Sequence, residues 1–194
     1  MSEKTDSKKQ LIIDKATEVF AAKGFKAVTM KDIVDACEIS RGGLYLYYSS
    51  TEEIFKDVIE AEESKEAGGN DFQKMLANSV ATDLLLWFMK EQKKEILKRK
   101  NSLIVAKYEY AFFNKANGNT QDTKKAFETA VAVLANIIER GNVSGEFACL
   151  DSVSMACSMM YAIEGMRACS ATFGLSEKKV DSELLFMMNQ LVEV

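Results

Sequence analysis

The feature that most constrains the fold of this chain is the absence of proline from all 194 residues. Proline interrupts helices because its ring removes a backbone hydrogen bond and clashes with the preceding turn. Only the ten glycines are available here as helix breakers, so the sequence predicts long helices. Apolar residues recur at helical spacing, and no stretch alternates in the manner of a strand. The predicted fold class is therefore all-α.

Histidine is also absent, and this excludes several classes of catalytic and metal site. A Ser-His-Asp or Cys-His nucleophile pair cannot form, and a zinc site cannot use an imidazole ligand. The four cysteines form no CxxC pair and lie within apolar helical patterns, which favours buried free thiols over a redox switch. We therefore predict no metal, no cofactor and no enzymatic activity. The minor alternative is an enzyme that uses carboxylates, such as Asp83 with Glu91 or Glu164.

The charge of the chain is unevenly distributed. The net charge is −4, whereas residues 1–50 hold eight Lys or Arg and seven Asp or Glu. Binding responds to a local patch rather than to the total charge, so the acidic balance does not exclude a nucleic-acid partner. The first ten residues are polar and no apolar run reaches the length of a membrane span. These features predict a cytoplasmic protein with no membrane partner.

Four helices are predicted in the first 66 residues from apolar periodicity and capping residues. Thr29, with Asp32 three residues later, has the spacing of a capping box, and so has the segment Ser50-Thr51-Glu52-Glu53. Gly24 is placed to end the first helix. The predicted spans are about Lys8 to Lys23, Thr29 to the turn at Glu38-Ile39, Ser40 to about Tyr48, and the 50–53 box to about Glu66.

Two short helices joined by a tight turn and resting on a first helix describe a helix-turn-helix unit. In such a unit the second short helix lies in the major groove of DNA and offers its N-terminal side chains to base edges. Leu44 and Tyr48, four residues apart, are expected to face inward. The residues left for the outside are Arg41, Gly43, Tyr45 and Tyr47. Gly42 and Gly43 each cost a helix about 1 kcal/mol relative to alanine, which indicates a close approach of the backbone to another surface. The alternative is that the aromatic residues here only pack in the core.

The segments Thr29–Val34 and Ile39–Phe55 together resemble the signature of the TetR family of one-component repressors. The resemblance implies a dimeric transcription repressor. It implies an N-terminal three-helix DNA-binding domain, residues 1–50, and a larger helical domain for ligand binding and dimerisation, residues 51–194. Its implied partners are a palindromic double-stranded DNA operator, a second copy of the chain and a small apolar or amphipathic effector.

The resemblance also implies roles for individual residues of the helix-turn-helix. The arginine among the base-contacting residues is best suited to guanine, and phosphate contacts set the register of the protein on DNA. The residues expected to meet bases are Arg41, Gly42, Gly43 and Tyr45. The residues expected to bond phosphates are Thr29, Ser40, Tyr47 and Thr51. Lys8 and Lys9 can add positive charge near the DNA backbone.

Three positions depart from the family pattern and bear on the strength of DNA binding. Leu46 is apolar where many relatives carry histidine or another polar or aromatic residue, and it either touches a thymine methyl or touches nothing. Thr51 replaces the usual lysine and so removes one positive charge near a phosphate. Tyr48 replaces a core phenylalanine, so its hydroxyl needs a hydrogen-bond partner. These departures leave open a TetR-like ligand sensor or protein-binding module with little affinity for DNA.

Four or five longer helices are predicted after a break at Gly68-Gly69-Asn70. The first of them occupies the long segment 71–100, and turns are expected at 117–119, 141–145 and 174–176.

The last two helices carry stripes of residues suited to a dimer interface. A symmetric operator requires two recognition helices about 34 Å apart, so the protein is expected to dimerise. Two such helices from each subunit would form a four-helix bundle, and the alternative is packing within one chain. The residues assigned to the interface are Ser158, Ala162, Gly165 and Cys169 on one helix, and Leu184, Met188 and Leu191 on the other.

A ligand cavity is implied by resemblance in the aromatic-rich part of the chain before these helices. Apolar walls with a few polar anchors are normal for such sites, and the alternative for each residue is core packing. The residues assigned to the pocket are Trp87, Phe88, Tyr108, Phe112 and Glu164. The implied mechanism has two states, in which a ligand favours a different arrangement of the fourth helix and moves the recognition helices away from operator spacing.

Overall fold

The computed structural model describes residues 3–66, 79–98 and 100–192, and these residues form nine α-helices and no β-strand. The all-α class is confirmed. No helix in the described part of the chain is long and apolar enough to cross a membrane. The helices are α1 Glu3–Lys23, α2 Met30–Cys37, α3 Arg41–Tyr45, α4 Thr51–Glu66, α5 Ala81–Leu97, α6 Ile104–Ala116, α7 Gln121–Ser144, α8 Ser152–Thr172 and α9 Glu177–Asn189.

The first and third helices differ in length from the prediction. α1 begins at Glu3 rather than near Lys8, and α3 ends at Tyr45 rather than near Tyr48. The chain beyond α3 remains turned, because the backbone N–H groups of the next two tyrosines both donate to the carbonyl of Leu44. α3 is therefore a short helix followed by a further hydrogen-bonded turn.

The end of α7 differs from the prediction because Gly141 lies inside the helix and not at its end. A Cβ atom on Gly141 would lie 1.9 Å from the ring of Phe147. The missing side chain therefore makes room for this ring against the helix. The chain leaves the helix only at Gly145, whose φ of 76° lies in the left-handed region that glycine adopts readily.

The N-terminus of α5 is capped by a residue that is far away in the sequence. Glu146, which follows α7, accepts hydrogen bonds from the backbone N–H groups of Ala81 (3.1 Å) and Thr82 (2.8 Å). Hydrogen bonds from the Ser144 hydroxyl and from Thr82 lower the pKa of the Glu146 carboxyl to about 2. The predicted break at 68–70 and the predicted start of this helix near residue 71 lie outside the described residues.

The described helices divide into two compact units. The first unit contains α1 to α4 together with α6, and the second contains α5 and α7 to α9. The grouping of α6 with the N-terminal helices was not predicted. The functional division at residue 50 concerns DNA binding and stays a prediction.

The core of the first unit is rich in aromatic side chains. Phe20 of α1 lies 4.6 Å from Phe55 of α4, measured between ring centroids. Phe25, in the loop after α1, lies 4.9 Å from Tyr110 of α6 and 5.2 Å from Phe55. Because Phe20 and Phe55 are fully buried, these contacts fix α1, α4 and α6 to one another.

The second unit has a separate core of aliphatic residues and methionine. Leu84 of α5, Ile137 of α7 and Ile163 of α8 are fully buried in it. Each fully buried side chain of this size contributes roughly 1.5 to 3 kcal/mol relative to an exposed position.

Candidate nucleic-acid interface

α2 begins with the predicted capping box. The hydroxyl of Thr29 accepts a hydrogen bond from the backbone N–H of Asp32 (3.3 Å), and the Asp32 carboxylate accepts one from the backbone N–H of Thr29 (2.8 Å). Lys23 of α1 donates to the same carboxylate at 2.5 Å. The hydrogen bonds from Lys23 and then Thr29 hold the pKa of Asp32 well below its usual range. The start of α2 is therefore tied to the end of α1.

The turn between α2 and α3 depends on a left-handed residue. Glu38 has φ 54° and ψ 38°, and its backbone N–H donates to the carbonyls of Asp35 and Val34. This conformation ends α2 without a glycine and directs the chain into the cap of α3.

α3 and the turn after it bury the two residues that the sequence predicts, Leu44 and Tyr48, whereas Gly43 and Tyr47, expected outside, are half-buried. Ser40 caps the helix by accepting a hydrogen bond from the backbone N–H of Gly43 at 3.1 Å. Leu44 is 0% exposed and Tyr48 is 4% exposed, so both side chains pack in the core of the first unit. The outward residues that the structure leaves exposed are Arg41, Gly42, Tyr45 and Leu46. The guanidinium of Arg41 lies 5.5 Å from the centroid of the Tyr45 ring, within the range of a cation–π contact.

The two adjacent glycines of α3 differ in their surroundings. A Cβ atom on Gly43 would lie 3.1 Å from the hydroxyl oxygen of Ser40, so a side chain there would crowd the cap. A Cβ atom on Gly42 would have no heavy atom within 4 Å. The cap of α3 therefore explains why position 43 carries no side chain. Gly42 has no such neighbour and leaves open space on the exposed face of the helix.

Tyr48 has the hydroxyl partner that its position requires. Its hydroxyl donates to Asp57 of α4 at 2.7 Å, and the ammonium of Lys9 lies 2.7 Å from the same carboxylate oxygen. Burial and the nearby carboxylate raise the pKa of Tyr48 far above its usual value. Burial alone would raise the pKa of Asp57, but the hydrogen bonds from Lys9 and Tyr48 outweigh it and lower that pKa. Lys9, expected near the DNA backbone, is thus bound to α4 in this structure.

α4 begins with a variant of the predicted box. The Ser50 hydroxyl accepts from the backbone N–H of Glu53 (3.2 Å), but the Glu53 carboxylate accepts from the backbone N–H of Ser49 (2.7 Å) rather than that of Ser50. The hydrogen bond from Ser49 lowers the pKa of Glu53. Thr51, the first residue of α4, is half-buried. Thr29 and Ser40 are exposed, and Tyr47 is half-buried.

Glu109 of α6, which the sequence offers as a polar anchor for the ligand pocket, has a positioning role that sequence reasoning did not assign to it. Its carboxylate accepts a hydrogen bond from the backbone N–H of Lys26 at 2.9 Å, in the loop between α1 and α2. A Cβ atom on Gly24 would lie 2.6 Å from the same carboxylate, so the glycine allows this approach. Lys26 and Glu109 are 83 residues apart, and helical periodicity contains no information about such a pair.

The residues assigned to a ligand pocket fall into both compact units. Tyr108 and Phe112 belong to α6, and Phe112 is exposed. Trp87 and Phe88 belong to α5, and Phe88 is buried in the core of the second unit. Glu164 of α8 pairs with the neighbouring guanidinium of Arg167, which also donates to Gln92 at 2.5 Å. The pocket assignment stays a prediction.

Two surface depressions differ from the predicted pocket in their linings. The larger, about 420 Å³, lies in the first unit, and the smaller, about 290 Å³, lies on α7 in the second. The larger is lined by Glu18, Val19, Ala22, Lys23, Asp32 and Asp35. The smaller is lined by Asn136, Glu139, Arg140, Val143 and Ser144. Neither lining includes a residue assigned to the pocket. Within the described residues, no three His, Cys, Asp or Glu side chains are grouped to hold a metal ion.

The residues assigned to the dimer interface divide by exposure. On α8, Ser158, Ala162 and Gly165 are exposed and Cys169 is half-buried.

The burial of two residues corrects their assignment to the interface: Leu184 lies on α9, and Leu191 lies just beyond the end of that helix. Leu184 is buried and Leu191 is 0% exposed, because both pack into the core of their own chain. Met188 is half-buried beside the same core. The large side chains that α9 leaves exposed are Leu185 and Phe186.

Comparison with known proteins agrees with this geometry over most of the chain. Residues 12–58 match the family model described as "Bacterial regulatory proteins, tetR family", and residues 84–181 match "Tetracyclin repressor-like, C-terminal domain". The chain is 30% identical over 146 residues to the uncharacterized HTH-type transcriptional regulator YfiR of Bacillus subtilis, covering 75% of this chain and 70% of YfiR. The chain belongs to the TetR family of transcription regulators.

Other relatives share parts of the sequence or the whole fold. The chain is 37% identical over 57 residues to the regulator QacR of Staphylococcus aureus, covering 29% of this chain and 30% of QacR. A TetR regulator from Haloarcula marismortui has a TM-score of 0.81 at 14% identity, covering 96% of this chain and 97% of that one. A protein from Saccharomonospora viridis was solved in complex with choline. Its TM-score is 0.81 at 17% identity, and the match covers 97% of this chain and 100% of that one. The protein described here is a DNA-binding transcription regulator and not an enzyme.

Proposed function

We propose that this protein is a repressor that binds a palindromic DNA operator as a dimer in the cytoplasm and is released by a small apolar or amphipathic effector. The observation that carries the proposal is the arrangement of α3. Leu44 anchors the helix in the core while Arg41, Gly42 and Tyr45 remain exposed. An exposed helix of this kind fits the major groove, where arginine can bond guanine through two atoms.

Phosphate contacts in the proposed complex come from residues beside α3. Thr29 and Ser40 are exposed N-cap residues of α2 and α3. Tyr47 and Thr51 follow α3 in the chain. Contacts of this type set the register of the protein on DNA, and base contacts supply sequence preference. We assign the base contacts to Arg41 and its exposed neighbours, as the resemblance implies.

We assign the dimer interface to the exposed faces of α8 and α9. The small residues Ser158, Ala162 and Gly165 would allow a second helix to approach closely, and Cys169 lies at the end of the same stripe. The exposed side chains of Leu185 and Phe186 on α9, together with half-buried Met188, would supply apolar area to the same bundle.

The effector proposal draws on the second half of the chain and on one solved relative. The model for the family's C-terminal domain covers residues 84–181, and the Saccharomonospora viridis protein of the same fold was solved in complex with choline. We retain Trp87, Phe88 and Glu164 of the second unit as candidate pocket residues, and the assignment of Tyr108 and Phe112 stays a prediction. A ligand with different affinities for two arrangements of the dimer would shift it away from the DNA-binding one.

Footprinting of the purified protein on the DNA upstream of its own gene tests the operator proposal. We expect a protected segment with two-fold symmetry and half-sites about one helical turn apart. Affinity should fall steeply as salt rises, because phosphate contacts release counterions. A sensor or protein-binding module with little DNA affinity would leave every segment unprotected, and that result would reject the repressor proposal.

A thermal-shift screen followed by gel shift tests the effector proposal. A compound that raises the melting temperature of the free protein should weaken its binding to the operator. Unchanged operator affinity at saturating compound would reject release by that ligand.

A further inference from the structure

Leu46 is an exposed apolar residue at the end of the recognition helix. It is the C-cap residue of α3 with φ −70° and ψ −20°, and its backbone N–H donates to the carbonyl of Gly42 at 3.2 Å. Its side chain is 84% exposed, so it contributes little to the core of the first unit. An exposed leucine by itself needs no explanation. Its position on the face proposed to meet DNA places it where a base can contact it.

Gly42 provides an open space beside this leucine. Residues four apart lie on the same face of a helix, and long side chains lean toward the N-terminal end. By this rule we expect Leu46 to lean toward Gly42. A carbon atom at the Cβ position of Gly42 has no heavy atom within 4 Å. Gly42 therefore leaves open surface on the N-terminal side of Leu46, and a methyl group of a bound base can enter it.

The chemistry of the major groove identifies the methyl group that suits this space. Thymine is the base that presents a methyl group there, and apolar side chains contact it. Arg41 gives the exposed side of α3 a positive charge, and α3 has no acidic residue in its first turn. We propose that Leu46 and Gly42 together receive the 5-methyl group of one thymine in each operator half-site. This inference rests on the proposed operator binding and adds a specificity-determining residue to it.

Replacement of thymine by deoxyuridine tests the inference because it removes only the methyl group. A duplex selected by the wild-type protein is resynthesised with deoxyuridine at each thymine in turn, and the dissociation constants are measured by fluorescence anisotropy. Burial of one methyl group corresponds to about a fourfold change in affinity. We expect one thymine per half-site at which deoxyuridine weakens wild-type binding by about this factor.

Three variants determine whether Leu46 and Gly42 cause the effect. Leu46→Ala should bind the thymine and deoxyuridine duplexes equally. Gly42→Ala should also lose the difference, because its Cβ would occupy the open surface that the thymine methyl is proposed to enter. Leu150→Ala removes an exposed leucine from the second unit and should retain the full wild-type difference. Far-UV circular dichroism and melting temperatures establish that each variant is folded.

The outcomes separate this inference from the repressor proposal. A methyl effect that persists in Leu46→Ala, or no methyl effect at any thymine, overturns the role of Leu46 while operator binding stands. Failure of the wild-type protein to select or bind any duplex overturns both.

Discussion

At the residue scale, Tyr48 shows how a departure from the family pattern is compensated within the fold. The tyrosine hydroxyl is buried at a position where phenylalanine is usual, and it would be costly without a partner. Asp57 of α4 accepts its hydrogen bond, and Lys9 of α1 completes the arrangement. The need for a partner could be predicted from the sequence. The identity of the partner could not, because it depends on how α1 and α4 pack.

Replacement of Tyr48 by phenylalanine should therefore destabilise the protein despite restoring the common family residue. The variant loses a part-buried hydrogen bond to a carboxylate, and we expect a loss of about 1 to 2 kcal/mol in the free energy of unfolding. Urea denaturation at neutral pH measures this change. Tyr45→Phe, at an exposed position of α3, serves as the control and should change stability little. Equal stability of wild-type protein and Tyr48→Phe would contradict this role for Asp57.

Asp32 makes the stability of the first unit depend on pH. In the folded state, hydrogen bonds from Lys23 and Thr29 lower the pKa of the Asp32 carboxyl. The ionised carboxylate therefore stabilises the fold fully above the pKa that Asp32 has in the unfolded chain, about 4. That effect is lost as the pH falls from about 4 toward the folded pKa. We expect the melting temperature of wild-type protein to fall more steeply below pH 4 than that of Asp32→Asn.

Melting curves followed by circular dichroism between pH 7 and pH 3 test this expectation. The control is Asp35→Asn, which removes a carboxylate from an exposed ion pair with Lys31 on the same helix. That control should retain the wild-type pH dependence. Parallel pH profiles for wild-type protein and Asp32→Asn would show that the capping box has no such effect.

At the element scale, the sequence predicts helix boundaries that depend on neighbouring residues and misses those that depend on distant ones. The caps at Thr29 and Ser40 occur as predicted, because each involves residues three apart in the chain. The end of α7 was placed too early, because Gly141 is needed for the packing of Phe147 and not as a helix stop. The cap of α5 by Glu146 was also missed, since donor and acceptor are about 65 residues apart.

Substitution of Gly141 by alanine should destabilise the second unit. The new Cβ would overlap the Phe147 ring at 1.9 Å, and overpacking of this kind costs about 1 to 3 kcal/mol. Gly42→Ala is the matched control, because its Cβ meets nothing within 4 Å and alanine favours the helix by up to about 1 kcal/mol. Denaturant titration of both variants measures the difference. Equal or greater stability of Gly141→Ala would contradict the packing described here.

At the scale of the whole molecule, the all-α class, the family and the exposed face of α3 could all be predicted from one chain. Two other features could not be predicted from the sequence: the unit to which α6 belongs and the burial of Leu191. α6 belongs to the first unit, because Tyr110 packs against Phe25 and Phe55. Leu191 packs inside its own subunit and cannot also face a partner. Helical periodicity identifies an apolar stripe but does not tell whether the stripe meets the same chain or another.

Substitution of Ala162 by arginine tests the proposed dimer. A long charged side chain on the exposed small-residue stripe of α8 should separate the subunits and leave each chain folded, because Ala162 lies outside the core. Sedimentation analysis should show a monomer, and operator affinity should fall at least tenfold because two linked half-site contacts become one. Ala126→Arg, at an exposed position of α7, should remain dimeric. A dimeric Ala162→Arg would place the interface elsewhere.

The most direct test of the proposal that the exposed face of α3 reads DNA is the affinity of Arg41→Ala for the footprinted operator across a salt series. Wild-type protein should bind with an affinity that falls steeply with salt. The variant, with an unchanged melting temperature, should bind roughly fivefold to a hundredfold more weakly and lose its preference at one guanine per half-site. Binding by Arg41→Ala with wild-type affinity and wild-type sequence preference would contradict the proposed role of α3.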